Sequence, residues 1–179
     1  MNPAAPLKFV SSNRRVREDR RFVAGQGRYV ADIALEGLLH VAVVPSPHPA
    51  ARIVSINAIE AMKMPGVHYV LTGEELAKAT EPLMNGLDTP NVRRYPLAVG
   101  QVRYAGEWVV AVVAETRAQA EDAAEKVRIE YEQLAYVIDS EEAFDPKSPP
   151  VHAGHGSNVL LDKTFVWGEV EQHFAESQR

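Results

Sequence analysis

A chain of 179 residues is long enough for one domain with its own core and an arm or tail beside it. Apolar residues (46%) and charged residues (24%) stand in ordinary globular proportion, and a net charge of −5 argues against a nucleic-acid partner, which requires a basic face. Without a cysteine the chain can form no disulfide, no thiol nucleophile and no cysteine-ligated iron–sulfur cluster of its own.

Residues 1–28 read as an extended N-terminal arm, residues 29–145 as the folded domain, and residues 146–179 as a loop and tail. The arm holds a basic cluster, Arg14, Arg15, Arg17, Arg20 and Arg21, but Glu18 and Asp19 interrupt it. A solvated arm or a protein-docking surface fits that pattern better than a polyanion site. Met1 to Val10 lacks the apolar core of a secretory signal, and Leu38 to Val44 is too short to cross a bilayer. The expectation is a cytoplasmic chain without a membrane partner.

Leu38 to Val44 and Arg52 to Ile56 are expected as strands. The segment Pro45-Ser46-Pro47-His48-Pro49 joins them, stiff because each proline fixes φ and removes a backbone donor. Asn57 with Glu60 predicts a capping box and a short helix, which Pro65-Gly66 stops, with Met62 turned into the core and Lys63 into water. Val67 to Leu71 is a strand. Thr72 with Glu75 repeats the capping signature for a helix over Gly73 to Ala79, and Thr80 to Pro96 is a loop.

Trp108 to Ala114 (WVVAVVA) predicts a strand buried on both faces. Thr116 with Gln119 starts a helix whose stripe Ala120, Ala123, Ala124, Val127 recurs at helical spacing, small enough to approach a sheet closely. From Val127 the period becomes two, with Val127, Ile129 and Tyr131 on one face and Arg128, Glu130 and Glu132 on the other. Alternating short helices and strands imply an α+β domain.

Candidate chemistry is thin. Glu60 to Met64 (EAMKM) resembles a biotin-attachment motif centred on Lys63, but a biotinyl lysine sits at a hairpin tip, whereas here a helix signal precedes it. His152 and His155 have ligand-like spacing without a cysteine or carboxylate pair beside them. Gly25-x-Gly27 lacks the third glycine and following helix of a dinucleotide loop, whose pyrophosphate rests on a helix N-terminus. The acid pairs Glu74/Glu75, Glu121/Asp122 and Glu141/Glu142 suit solvated faces or helix starts rather than acid–base work. No catalytic, cofactor or metal residue is assigned.

Read in order, several segments resemble the opening of molybdenum hydroxylase large subunits. These are Arg17-Glu18-Asp19 with Phe22; Gly25-x-Gly27-x-Tyr29-x-x-Asp32; Gly37-x-Leu39-His40; Ser46-Pro47-His48-x-x-Ala51-Arg52-Ile53; Pro65-Gly66-Val67; Leu71-Thr72-Gly73; and Val102-Arg103-Tyr104-x-Gly106-Glu107. Ala111 to Ala114 with Ala120 and Ala123-Ala124 follows, then Val127 to Tyr131 with Leu134 and Asp139. Two positions depart from the pattern: Pro45 where members often have arginine, and Ala135 after Leu134 where they often have proline.

The resemblance, to the xanthine dehydrogenase, aldehyde oxidase and aerobic carbon monoxide dehydrogenase family, implies an α/β hammerhead fold: a mixed sheet with short helices. The complete complex would oxidise an aldehyde, an N-heterocycle or carbon monoxide. It would hold a molybdopterin dinucleotide with molybdenum, two iron–sulfur clusters and usually FAD, none of them in this chain. Implied partners are a molybdopterin-binding domain or subunit, an iron–sulfur subunit and an FAD subunit. Arg14, Arg15 and Arg17 of the arm, and Pro45, Ser46, Pro47, His48 and Arg52 of the stiff turn, are the interface candidates. The residues leave open whether the chain is a separately encoded subunit or part of a longer one. The alternative is a freestanding binding or carrier module, biotinylated at Lys63.

Overall fold

The computed structural model describes residues 16–84 and 92–177, which group into two compact units, Met1–Leu38 and Leu39–Arg179. In the first unit, helix α1 (Asp19–Val23) buries no residue. Phe22 stacks on Tyr29 with ring centroids 5.8 Å apart, and Arg21 pairs with Glu18 at 3.0 Å. A short 3-10 turn at Val30–Asp32 is closed by the Asp32 carboxylate accepting from the Tyr29 backbone at 2.9 Å.

The second unit runs β1 (His40–Pro45), β2 (Ala51–Asn57), α2 (Ile59–Met62), β3 (Val67–Thr72), α3 (Gly73–Ala79), β4 (Gln101–Val102), β5 (Trp108–Ala114), α4 (Arg117–Ala124), β6 (Arg128–Gln133) and α5 (Val170–Glu176). The strands divide between two three-stranded sheets, ordered β1-β5-β3 and β4-β2-β6, and every pairing is antiparallel. This is the α+β architecture with short helices that was expected, built on two antiparallel sheets rather than one mixed sheet. The strand–helix–strand stretch β5-α4-β6 therefore passes from one sheet to the other.

β5 owes its apolar run to its central position. Val109, Val110 and Val112 are fully buried, with Val102 beside them, and each stabilises the fold by about 2 kcal/mol on leaving water. The stripe on α4 behaves as read: Ala120 and Ala123 are buried, so helix and sheet pack closely, and Val127 is buried just past the helix. Thr116 and Gln119 form the capping box, as do Thr72 and Glu75 at the start of α3.

The arm read as extended holds a short helix, α1, over Asp19–Val23, because Glu18 to Arg21 can close a turn locally, and three further local expectations change. The first strand begins at His40 and includes Pro45, which is tolerated because β1 is an edge strand with a register shift at Val44/Pro45. Asn57 and Glu60 form no capping box. The Asn57 carboxamide oxygen instead accepts from the Ile59 backbone at 3.1 Å, and Glu60 is drawn to Lys63. Finally, the residue α2 buries is Ala61, while Met62 is 55% exposed. A single turn of helix has room for one small side chain against β3 and α4, and Met64 just beyond it packs on the core instead.

Candidate docking surface

The turn between β1 and β2 is built around Ser46, buried at 3% exposure. Its hydroxyl accepts from the His48 backbone N–H at 3.0 Å and donates to the His48 carbonyl at 3.1 Å, closing a local turn. Its backbone N–H donates to the Glu107 carbonyl, and its carbonyl accepts from Gly106, each at 2.8 Å. Gly106 has φ +91°, a left-handed conformation that side chains disfavour, and it turns the chain so that both bonds form.

His48 is half-buried. Its ring meets Tyr131 edge-on, centroids 5.0 Å apart at 70°. Its Nδ1 lies 3.2 Å from the Gln133 side-chain amide nitrogen, close enough for a hydrogen bond between the two side chains. Burial raises the Tyr131 phenol above its ordinary value, partly offset by the neighbouring Ser46 hydroxyl, and the phenol oxygen has no well-formed hydrogen-bond partner. Arg52 pairs across the strands with Glu132.

The structure thus brings Ser46, His48 and Arg52 beside β6, while Pro45 ends β1 opposite Trp108 and Pro47 lies in the turn between Ser46 and His48. Arg17 lies exposed in the other unit, and Arg14 and Arg15 fall outside the described residues. Sequence reasoning missed the partners: Tyr131, Glu132 and Gln133, and the pair Arg103–Glu107, 3.7 Å apart and mostly shielded from water. The period-two pattern placed Glu132 and Tyr131 on opposite faces, but only the β2–β6 register reveals what each meets. The Val102 to Glu107 motif was visible, with no sign that its turn would hold Ser46.

The other candidates resolve into structural roles. Lys63 ends α2 and pairs with Glu60 at 2.8 Å, rather than standing at a hairpin tip. Hydrogen bonds from Lys63 and its charge lower the Glu60 carboxyl. Glu75 is lowered by the N–H and hydroxyl of Thr72. Glu121 pairs with Arg117 at 2.7 Å. The ring of His155 is occupied by the Val159 carbonyl at 2.9 Å. Among the described residues there is no group of three or more His, Cys, Asp or Glu placed to hold a metal, and no helix is long and apolar enough to cross a membrane.

Residues 24–135 match the family model described as "Aldehyde oxidase and xanthine dehydrogenase, a/b hammerhead domain". The chain belongs to this family. Among the relatives of this hammerhead chain is the 6-hydroxypseudooxynicotine dehydrogenase complex subunit gamma of Paenarthrobacter nicotinovorans, 39% identical over 169 residues, covering 90% of this chain and 21% of the relative. Among solved structures, quinoline 2-oxidoreductase from Pseudomonas putida 86 superposes with a TM-score of 0.66 at 42% identity, over 72% of this chain and 17% of that one. The Cu,Mo-CO dehydrogenase gives 0.65 at 36% identity, over 78% and 17%. The hammerhead chain spans about a fifth of the length of the curated relatives it matches.

Proposed function

We propose that this chain is the N-terminal structural and assembly domain of a molybdopterin-dependent hydroxylase or dehydrogenase. In the complete complex that enzyme oxidises an aldehyde, an N-heterocycle or carbon monoxide. The observation that carries the reading is the hammerhead match itself, to a segment that relatives keep as about a fifth of a much longer oxidoreductase chain.

The chain's own residues do not fit the family's cofactors. It offers no thiolate for an iron–sulfur cluster. Its nearest thing to a phosphate cradle, Gly25-x-Gly27, is already filled, since a Cβ on Gly27 would lie 2.7 Å from the Phe22 ring. Molybdopterin dinucleotide, molybdenum, two iron–sulfur clusters and FAD are therefore assigned to the rest of the complex, and no chemical step is assigned to this chain. Its partners are the molybdopterin-binding domain or subunit, the iron–sulfur subunit and the FAD subunit, in the cytoplasm.

Within this reading, the arm over residues 1–28, with Arg14, Arg15 and Arg17, is a contact segment. So is the turn Pro45, Ser46, Pro47, His48 with Arg52, where buried Ser46 sets the shape and the exposed residues make the contact. The test is co-purification. The purified chain is expected to be colourless and free of stoichiometric molybdenum, and to enter a coloured complex when produced with the folded remaining subunits. Stoichiometric molybdenum in the isolated chain, or failure to join that complex, would overturn the assignment.

A further inference from the structure

The two sheets are the same size yet finish their outer faces in opposite ways. On β2 and β6 the paired outward positions are polar: Arg52 pairs with Glu132, Ser55 donates to Glu130 at 2.9 Å, and Asn57 stands opposite Arg128, with Val54 at the register shift the one exposed apolar residue of β2. That is a sheet face finished for water. On β1-β5-β3 the register places Val41, Val113 and Tyr69 in one cross-strand row and Val43, Ala111 and Leu71 in the next. All six are apolar. The opposite alternation on these strands (Val44, Val67, Val70, Val110, Val112) belongs to or packs on the core with Ala61 and Ala123; of these six only Ala111 is buried, while Val109, two residues before it on β5, lies in that core. Val41 is 62% and Tyr69 48% exposed, whereas in the second row Val43 and Leu71 are half-buried and Ala111 is buried, so the uncovered part of the face is the first row.

We infer that the Val41–Val113–Tyr69 face of this sheet is the seat on which the remaining polypeptide of the hydroxylase large subunit packs, through an apolar surface of its own. This rests on the assembly reading above. What identifies the occupant is the relatives' construction: at 36–39% identity they carry this segment within a single chain about five times as long. An apolar face of this kind on a soluble chain marks an interaction site. The solvated face of β2–β6 provides an internal contrast within the same chain.

The absence of cysteine makes the test direct. Val41→Cys and, as control, Ser55→Cys on the polar face are each introduced into the full chain. Each is also introduced into the Paenarthrobacter nicotinovorans gamma subunit with its matching 169-residue segment replaced by this chain, produced with its companion subunits. Labelling by N-ethylmaleimide is followed at each site by peptide mass spectrometry. Val41→Cys should label freely in the isolated chain and at least about tenfold more slowly in the assembled subunit, while Ser55→Cys labels alike in both.

Equal labelling of Val41→Cys in the two states would overturn the proposal and leave the assembly reading standing. Slow labelling already in the free chain overturns it too, whether the chain covers the face itself or a second copy does, which its hydrodynamic size distinguishes. A replaced subunit that fails to assemble, where the unmodified subunit succeeds, overturns the assembly reading and this proposal with it.

Discussion

Gly73 opens α3 directly against the carbonyl of Ala98, so closely that a Cβ on Gly73 would stand 1.9 Å from that oxygen. The carbonyl cannot retreat cheaply, because the Ala98 N–H donates to Trp108 of β5 at 2.7 Å and Ala98 itself is buried. Gly73→Ala should therefore destabilise the domain by about 3 kcal/mol, the upper range for overpacking, and lower its melting temperature by roughly 6–12 °C. Thermal unfolding followed by circular dichroism measures this. An unshifted melting curve would mean that the backbones are not in contact.

The Thr116 hydroxyl caps α4 by accepting from the Gln119 N–H at 3.2 Å, and the Gln119 side chain returns the bond to the Thr116 N–H at 3.0 Å. Thr116→Ala should cost about 1 kcal/mol, and Thr116→Ser, which keeps the oxygen, should recover most of it. Urea unfolding midpoints of the three proteins decide the matter, and a serine variant as weak as the alanine one would show that the hydroxyl is not the cause.

Much of the fold was legible because local rules dominate it. β5 is named by its valine run, α3 and α4 by their capping boxes, and Ala120 and Ala123 by spacing alone. What was not legible depends on pairs distant in sequence. Arg52 and Glu132 lie 80 residues apart, and Ser55 and Glu130 lie 75 apart, so their meeting is visible only from register. The Asn57–Glu60 capping signature failed for a nearer reason: the helix starts one residue later, with Ala58 at its N-cap, so Glu60 is out of reach of a cap position and pairs with Lys63 instead. Of the docking candidates, Ser46 lies beneath the surface that the turn exposes, because a small polar side chain can satisfy its hydrogen bonds inside the turn.

His152 gives the domain an acid-side sensitivity. Burial first, then the nearby charges of Arg103, Arg94 and His155, hold its pKa below the ordinary 6.5. A histidine whose folded pKa is depressed binds its proton more readily when unfolded. Its contribution to stability is full above 6.5, the unfolded value, and is lost as pH falls through the lower folded value. Urea midpoints at about pH 7.5 and about pH 5 should therefore differ less for His152→Gln than for the parent. Identical acid losses in the two proteins would place the sensitive group elsewhere.

Lys63 should emerge from cells unmodified. It ends a one-turn helix, is held by Glu60, and has Met64 beside it packed on the core, whereas a biotin ligase needs its lysine presented on a projecting hairpin. The intact mass of protein produced with an active ligase is the check. An increase equal to one biotinyl group would return the carrier alternative to consideration.

Val112 and Val41 offer the sharpest contrast, since they stand on paired strands and opposite faces of one sheet. Val112 is wholly buried against the core, and Val41 is 62% exposed on the outer face. Aspartate at Val112 would put an unpaired charge where nothing can neutralise it, costing several kcal/mol, on the scale of a whole domain's stability. Aspartate at Val41 keeps its carboxylate in water and should cost less than about 1 kcal/mol in the isolated chain. Circular dichroism should accordingly find Val112→Asp unfolded at a temperature where Val41→Asp melts nearly as the parent does. If the two variants lost stability equally, the outer face would be core, and the division of this sheet into a buried and an uncovered side would be wrong.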